Sequence, residues 1–220
     1  MSIDARGCCS DKNVRPPAPW KKSDAKINLT WHHLIPYAMM FDCWEALARN
    51  QKLGKCQVAL QSYLRLVKAE NPRAILRSME AGSLSFEAQE DLWRRLAWPA
   101  WNIVEGPSKR TDDPKDNHSL DEFTSGLTIS EFNRQRKIKD LFLAIRIFNE
   151  ASGGGPVSEN AAQGVANVMN NAERTLVAGD VIRYRPIMWA ESKPPLNASL
   201  DDQKVKWWKK KSGSKFIDRP

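Results

Sequence analysis

The chain has 220 residues, of which 41% are hydrophobic and 27% charged, which is typical of a globular domain and excludes a peptide or a fibre. No apolar run approaches the roughly 20 residues of a membrane span, and the N-terminus lacks the apolar segment of a signal peptide, so we expect synthesis in the cytoplasm and no membrane partner. Lys and Arg outnumber Asp and Glu by 34 to 26, a net charge of +8 that favours nucleic acid or an acidic protein as partner.

The segments differ in composition and predict three regions. Residues 1–26 are polar and proline-rich, which indicates an extended or disordered lead-in. Residues 27–200 are expected to form one α+β domain that is predominantly helical. Residues 201–220 form a basic tail that contains the sequence KVKWWKKK.

Hydrophobic periodicity predicts the regular elements in chain order. Residues 27–33 are rich in β-branched and aromatic side chains and predict a strand. Apolar residues then recur at three and four positions, and Thr128 with Glu131 forms a capping-box signature. The predicted helices are 37–50, 56–69, 72–80, 86–96, 128–149 and 158–178.

Two less regular stretches follow the fourth predicted helix. Residues 98–104, WPAWNIV, predict a short strand or an ordered turn. Residues 105–119, EGPSKRTDDPKDNHS, predict a surface loop with many charged side chains.

Residues 180–189 predict a strand or an extended cover segment. Trp44, Trp93, Trp98 and Trp101 are expected in the core.

The four cysteines lack the paired spacing of a structural zinc site. Cys8 and Cys9 are adjacent, and Cys43 and Cys56 fall on predicted helices. We therefore interpret all four as free thiols of a reducing compartment.

Two of the three histidines are adjacent, in the sequence WHHLIP. One interpretation is structural, with one ring packed on a tryptophan and the other in water. The other is chemical: His32 and His33 point to opposite faces of a regular strand, and they reach one site only where it ends or bends, as Pro36 suggests. One imidazole then binds a metal ion while the other accepts a proton from water.

The motif WHHLIP resembles the opening of the HNH and endonuclease VII superfamily, also called His-Me finger or ββα-metal nucleases, and especially its bacterial toxin branches. In that family the first strand ends in two histidines followed by an apolar pair and proline. The resemblance implies a small ββα-metal core made of residues 27–36 and 98–127. Residues 37–97 would then be a helical insertion between its two strands, which is tolerable because loop closure costs little more as a loop lengthens.

The resemblance also assigns roles. It makes His32 a metal ligand, His33 the general base and Asn102 the residue that braces the loop. The second metal ligand, at the start of the finger's helix, would be Asp112 or Asp113, with His118 as an alternative. Lys109 and Arg110 would hold phosphate. An imidazole with a carboxylate suits Mg²⁺ or Mn²⁺ and tolerates Zn²⁺ or Ni²⁺.

The implied function is that of a metal-dependent endonuclease with little sequence specificity. DNA is the expected substrate, and RNA is not excluded. By analogy with the toxin branches, the protein would act as an antibacterial effector that is exported into target cells and is neutralised in the producer by an immunity protein.

Two other functions remain open. One is a helical module that binds nucleic acid or a protein without catalysis; the other is a metal-dependent hydrolase that acts on a different substrate. Trp207 and Trp208 either stack on bases or fold back with their rings inserted into the domain.

Overall fold

We describe the fold from a computed structural model, which covers residues 22–23, 25–114, 118–153, 155–213 and 217. Most of the predicted lead-in, with Cys8 and Cys9, lies outside these residues. Cys43 and Cys56 lie inside them as buried free thiols, as predicted.

The described residues form a mixed α+β fold that is mainly helical. Its helices are α1 (Tyr37–Arg49), α2 (Gly54–Leu66), α3 (Pro72–Ala81), α4 (Phe86–Ala97), α5 (Ile129–Ser152) and α6 (Glu159–Val177). Its strands are β1 (Leu29–His33), β2 (Ile103–Pro107), β3 (Trp189–Ser192) and β4 (Trp207–Lys210). None of the described helices is long and apolar enough to cross a membrane.

All six predicted helices are confirmed, because their caps and periodicity act locally. Thr128 and Glu131 form the predicted reciprocal capping box at the start of α5. Ser85 and Ser158 cap α4 and α6 through hydrogen bonds from the backbone three residues later. α2 ends earlier than predicted because Lys68 adopts a positive φ of 55°.

The core lies between the helices. α2 and α5 both pack on α6, and α1 packs on α2, α4 and α5. Trp44, Trp93 and Trp101 are buried as predicted, whereas Trp98 is partly exposed. The Trp101 indole donates a hydrogen bond to the Leu66 carbonyl at 2.8 Å, which ties the start of β2 to the end of α2. The helical insertion therefore holds β2 in place.

The strands form two antiparallel pairs, β1 with β2 and β3 with β4. Of the two alternatives predicted for residues 180–189, the structure has the extended cover segment: Ile182 makes an isolated bridge to Val104, and residues 180–185 cover the free edge of β2. A single 3-10 turn, Pro186–Met188, follows, and β3 begins at Trp189. The tail folds back, and β4 lies beside Arg110.

One expected element is missing from its place. The ββα core required a short helix directly after β2, but residues 108–114 and 118–128 contain no helix. The backbone of this segment is engaged elsewhere, since Thr111 N donates to Trp208 O at 2.9 Å and Asp121 N donates to Leu34 O at 2.8 Å. Asp112 and Asp113 therefore lie in an irregular loop.

Candidate functional site

The two segments on which the family resemblance rests, the histidine doublet and the segment around Asn102, lie side by side. β1 and β2 are antiparallel, with His32 opposite Val104 and His33 opposite Ile103. The chain thus returns, after four helices, to the strand that carries the histidine doublet. The hypothesis based on WHHLIP requires that the strand with the histidines pair with the segment that follows Asn102, and the described structure contains this pairing.

Asn102 fastens the turn that follows the doublet. The side chain is fully buried; its Oδ1 accepts from Ile35 N at 2.7 Å and its Nδ2 donates to Ile35 O at 2.9 Å. The Asn102 carbonyl also accepts from Leu34 N at 2.8 Å. One asparagine therefore satisfies both backbone polar groups of the buried residue Ile35, which would otherwise cost about 1–3 kcal/mol each.

His32 faces the loop that follows β2. Its Nε2 lies 3.0 Å from Pro107 O, and its Nδ1 lies 3.4 Å from Asp113 Oδ1. Because a carbonyl oxygen only accepts, Nε2 is the donor, and Nδ1 faces Asp113 with a proton when the ring is charged and with a lone pair when the ring is neutral. The hydrogen bond from a protonated Nδ1 lowers the pKa of Asp113, and the nearby charges of Arg110 and Lys210 add to this effect, so the carboxylate is ionised at neutral pH. A lone pair and a carboxylate at this distance need a positive charge between them, which a second ring proton or a bound cation supplies.

This pair is reachable from solvent through only one of its members. The His32 side chain is 9% exposed, whereas that of Asp113 is 55% exposed. The ring of Trp189 lies 6.5 Å from the His32 ring, centre to centre, and closes the inner side. Gly106 also lies close, since a Cβ there would be 2.5 Å from Trp189 Cζ2. The pair is therefore open to solvent on the side of Asp113.

Arg110 organises the acidic loop. Its side chain is fully buried, and Nη1 and Nη2 donate to the two oxygens of Asp121 at 2.8 and 3.0 Å. The same guanidinium lies 3.2 Å from an oxygen of Asp112 and 3.2 Å from Asp113 Oδ1. Trp189 covers it, with its ring centre 4.9 Å from Cζ. Arg110 thus aims Asp113 at His32, and its fork is not presented to solvent as the phosphate role requires.

Lys210 closes the cluster from β4. Its ammonium donates to Asp121 Oδ1 at 2.6 Å, and its backbone N–H donates to Asp112 Oδ2 at 2.7 Å. Both oxygens of Asp112 are therefore engaged away from His32. Asp121 and Lys210 were missed by sequence reasoning, since nothing local distinguishes a buried Asp in SLDEF or an inward lysine among KKK.

His33 faces the other side of β1. Its ring nitrogen Nε2 donates to Ala97 O at 2.6 Å, and its ring lies 4.6 Å from the Trp98 ring. Burial lowers the pKa of His33, an effect that outweighs the hydrogen bond to Ala97 and is reinforced by the neighbouring His32. The imidazole is therefore neutral near pH 7. Since Nε2 donates, Nδ1 is the atom able to accept a proton.

The predicted site residues thus divide into two groups. His32, Asp113 and Arg110 come together, while His33 and Asn102 lie at the end of β1 on other contacts. His118 lies in an exposed turn. Among the residues that the structure covers, no three His, Cys, Asp or Glu side chains are arranged to hold a metal ion, so the protein offers a cation two side-chain ligands at most here.

The chain was also compared with known proteins. No family model, no curated protein and no solved structure matches it. The family assignment therefore stays a prediction from the residues of the doublet and its partner segment.

Proposed function

We propose that the protein is a metal-dependent nuclease whose cation is held by His32 and Asp113. The observation that carries the proposal is the 3.4 Å approach of His32 Nδ1 to Asp113 Oδ1, beside a strand end that Asn102 fastens. Two ligands with bonds of about 2.1 Å to one ion lie roughly 3.4 Å apart at the tetrahedral angle of Zn²⁺ and roughly 3.0 Å apart at the right angle of octahedral Mg²⁺ or Mn²⁺, so the pair needs at most a small side-chain movement to hold a small divalent cation. Water would complete the coordination on the open side.

The residues of the pair suit that cation chemically. The Nε2 hydrogen bond to Pro107 fixes the tautomer that leaves Nδ1 free to ligate, which is the usual outer-shell arrangement for a ligating histidine. When bound, the cation would supply positive charge to a phosphodiester and lower the pKa of a bound water. Arg110 acts as a positioning residue, because it orients Asp113 and does not contact phosphate.

His33 is proposed as the general base. Two features support the role: its ring is neutral near pH 7, and it ends the strand that carries His32. Its ring lies on the opposite face of β1 from Asp113, so the role requires that the scissile phosphate reach both faces at the end of β1. Asn102 then fixes the backbone at that point.

The test is cleavage of supercoiled plasmid by the full chain with Mg²⁺ or Mn²⁺, with and without EDTA. We expect nicking that EDTA abolishes and that His33→Ala reduces by about a hundredfold or more. His32→Ala and Asp113→Ala should also lose cleavage, whereas the exposed His118→Ala should retain it.

Metal binding separates the two histidine roles. Calorimetric titration with Mn²⁺ should show weaker binding for His32→Ala and unchanged binding for His33→Ala. Full cleavage by His32→Ala would overturn the cation assignment, and full cleavage by His33→Ala would overturn the base. DNA binding without any cleavage would instead favour the non-catalytic module.

A further inference from the structure

The β3–β4 ribbon has a second face, opposite the one that covers Arg110. Because side chains alternate along a strand, Trp189 and Lys210 point toward the acidic cluster, and their neighbours Ala190 and Lys209 point away from it. The outer face borders an open cavity of about 460 Å³. This volume falls within the about 300–1,000 Å³ of small-molecule sites.

The lysines of the tail fall into two classes. There are five between residues 204 and 211. Three form ion pairs with carboxylates: Lys204 with Asp201, Lys206 with Glu191 and Lys210 with Asp121. Lys209 and Lys211 form no ion pair with any residue that the structure covers, and both line the cavity. Between residues 204 and 211, the lysines without an ion pair to a described residue are therefore the two at this cavity.

The remaining walls suit one class of ligand. Ser125 and Ser212 are polar residues of the lining, while Ile187 and Ala190 give the cavity an apolar side. Two ammonium groups with hydroxyls bind a phosphate, and an apolar wall packs against the sugar or base attached to it. Inorganic phosphate would contact only the ammonium and polar groups, whereas a nucleotide would also contact the apolar wall.

The backbone beneath the lysines is held on both sides. Lys211 N donates to Met188 O at 2.9 Å, and the Thr124 hydroxyl donates to Lys211 O at 3.4 Å. The β3–β4 pairing places Lys209 opposite Ala190. The two ammonium groups thus project from a fixed support, so binding orders side chains but does not have to order the chain.

We infer that this cavity, with Lys209 and Lys211, binds one nucleotide of a single-stranded nucleic acid through its phosphate. Binding of the nucleotide does not depend on the proposed nuclease function. Its role does rest on that function, because the bound nucleotide would flank the scissile phosphate. Lys210 links the two places, since its neighbours hold the flanking nucleotide while its own side chain and N–H hold Asp121 and Asp112.

The experiment measures binding alone, with a fluorescent 12-nucleotide single strand in EDTA, by anisotropy. The variant Lys209→Ser with Lys211→Ser is compared with Lys52→Ser with Lys55→Ser, which removes the same charge from two exposed positions, one in the turn after α1 and one in the first turn of α2. We expect the first variant to bind about tenfold more weakly than wild type at low salt, with a salt dependence reduced by about 0.7 in slope, because the contact with one phosphate is lost. The control should change by less than twofold.

Each possible result of this experiment either supports or overturns the inference. Equal weakening in both variants would show that only net charge matters and would overturn the inference, as would a wild type that does not bind the strand. Selective weakening supports it even if the wild type cleaves nothing, in which case only the proposed nuclease function fails. Competition by inorganic phosphate as strong as by a mononucleotide would reduce the site to a phosphate site and overturn the nucleotide assignment.

Discussion

Replacing Asn102 by Ala should destabilise the protein strongly, because the change leaves two buried backbone groups without partners. Ile35 N and Ile35 O lie 2.7 and 2.9 Å from the Asn102 side chain, and Asn102 is fully buried. At about 1–3 kcal/mol for each unsatisfied group, the expected loss is roughly 2–6 kcal/mol of the free energy of unfolding. At about 2–4 °C per kcal/mol for a domain of this size, such a loss lowers Tm by roughly 4–24 °C.

The assay is urea unfolding followed by circular dichroism, with the thermal midpoint as a second measure. Asn102→Asp keeps the volume and the acceptor for Ile35 N but loses the donor for Ile35 O, so it should also destabilise and thereby separate hydrogen bonding from cavity formation. Asn160→Ala on the exposed first turn of α6 is the matched control and should change stability by less than about 0.5 kcal/mol. A loss below about 1 kcal/mol for Asn102→Ala would refute the role of Asn102 as the fastening of the strand end.

Three further predictions concern the surroundings of the site. Arg110→Met should cost about 3–5 kcal/mol in urea unfolding, because it leaves the buried carboxylate of Asp121 without its main partner; a near-neutral result would contradict the ion-pair arrangement. Gly106→Ala should cost about 1–3 kcal/mol and alter the fluorescence of Trp189, since the new Cβ would lie 2.5 Å from Cζ2 of that ring; unchanged stability and fluorescence would mean that the ring is not packed there. Burial lowers the pKa of His33 in the folded protein, so as the pH falls the His33 ring is protonated in the unfolded chain before it is protonated in the folded one. The stability contributed by this residue should therefore be complete above about pH 6.5 and should decrease below that pH until the pKa of the folded state is passed. Unfolding measured at pH 7.5 and 5 should show a smaller decrease for His33→Gln, and an equal decrease would contradict this role of burial.

Local signals accounted for most of what the sequence could predict. The capping box at Thr128 and the apolar periodicity of α1 depend on residues within one or two turns, so they can be recognised without the rest of the chain. The pairing of β1 with β2 was predicted only because the doublet and Asn102 matched a known pattern. Periodicity alone gives no information about a contact across the helices between them.

The parts that sequence reasoning did not predict are all non-local. Asp121 becomes important only because Arg110 and Lys210 reach it from other segments. The short helix expected at Asp113 is replaced by a loop because β4 engages Thr111 and Asp112. His32 and His33 point to opposite faces of β1, as the sequence analysis states for a regular strand, and which groups each ring meets there depends on the distant residues Asp113 and Ala97.

The involvement of Lys210 in the acidic cluster has a consequence for the order of folding. Its N–H bonds to Asp112 across 98 positions of sequence, and Asn102 bonds to Ile35 across 67. Contacts of such separation form slowly, because the loop entropy is lost before they are made. During synthesis, α1 to α4 and the β1–β2 pair can therefore form while the acidic loop still lacks its cover, and the arrangement around His32 becomes complete only after residue 210 has left the ribosome.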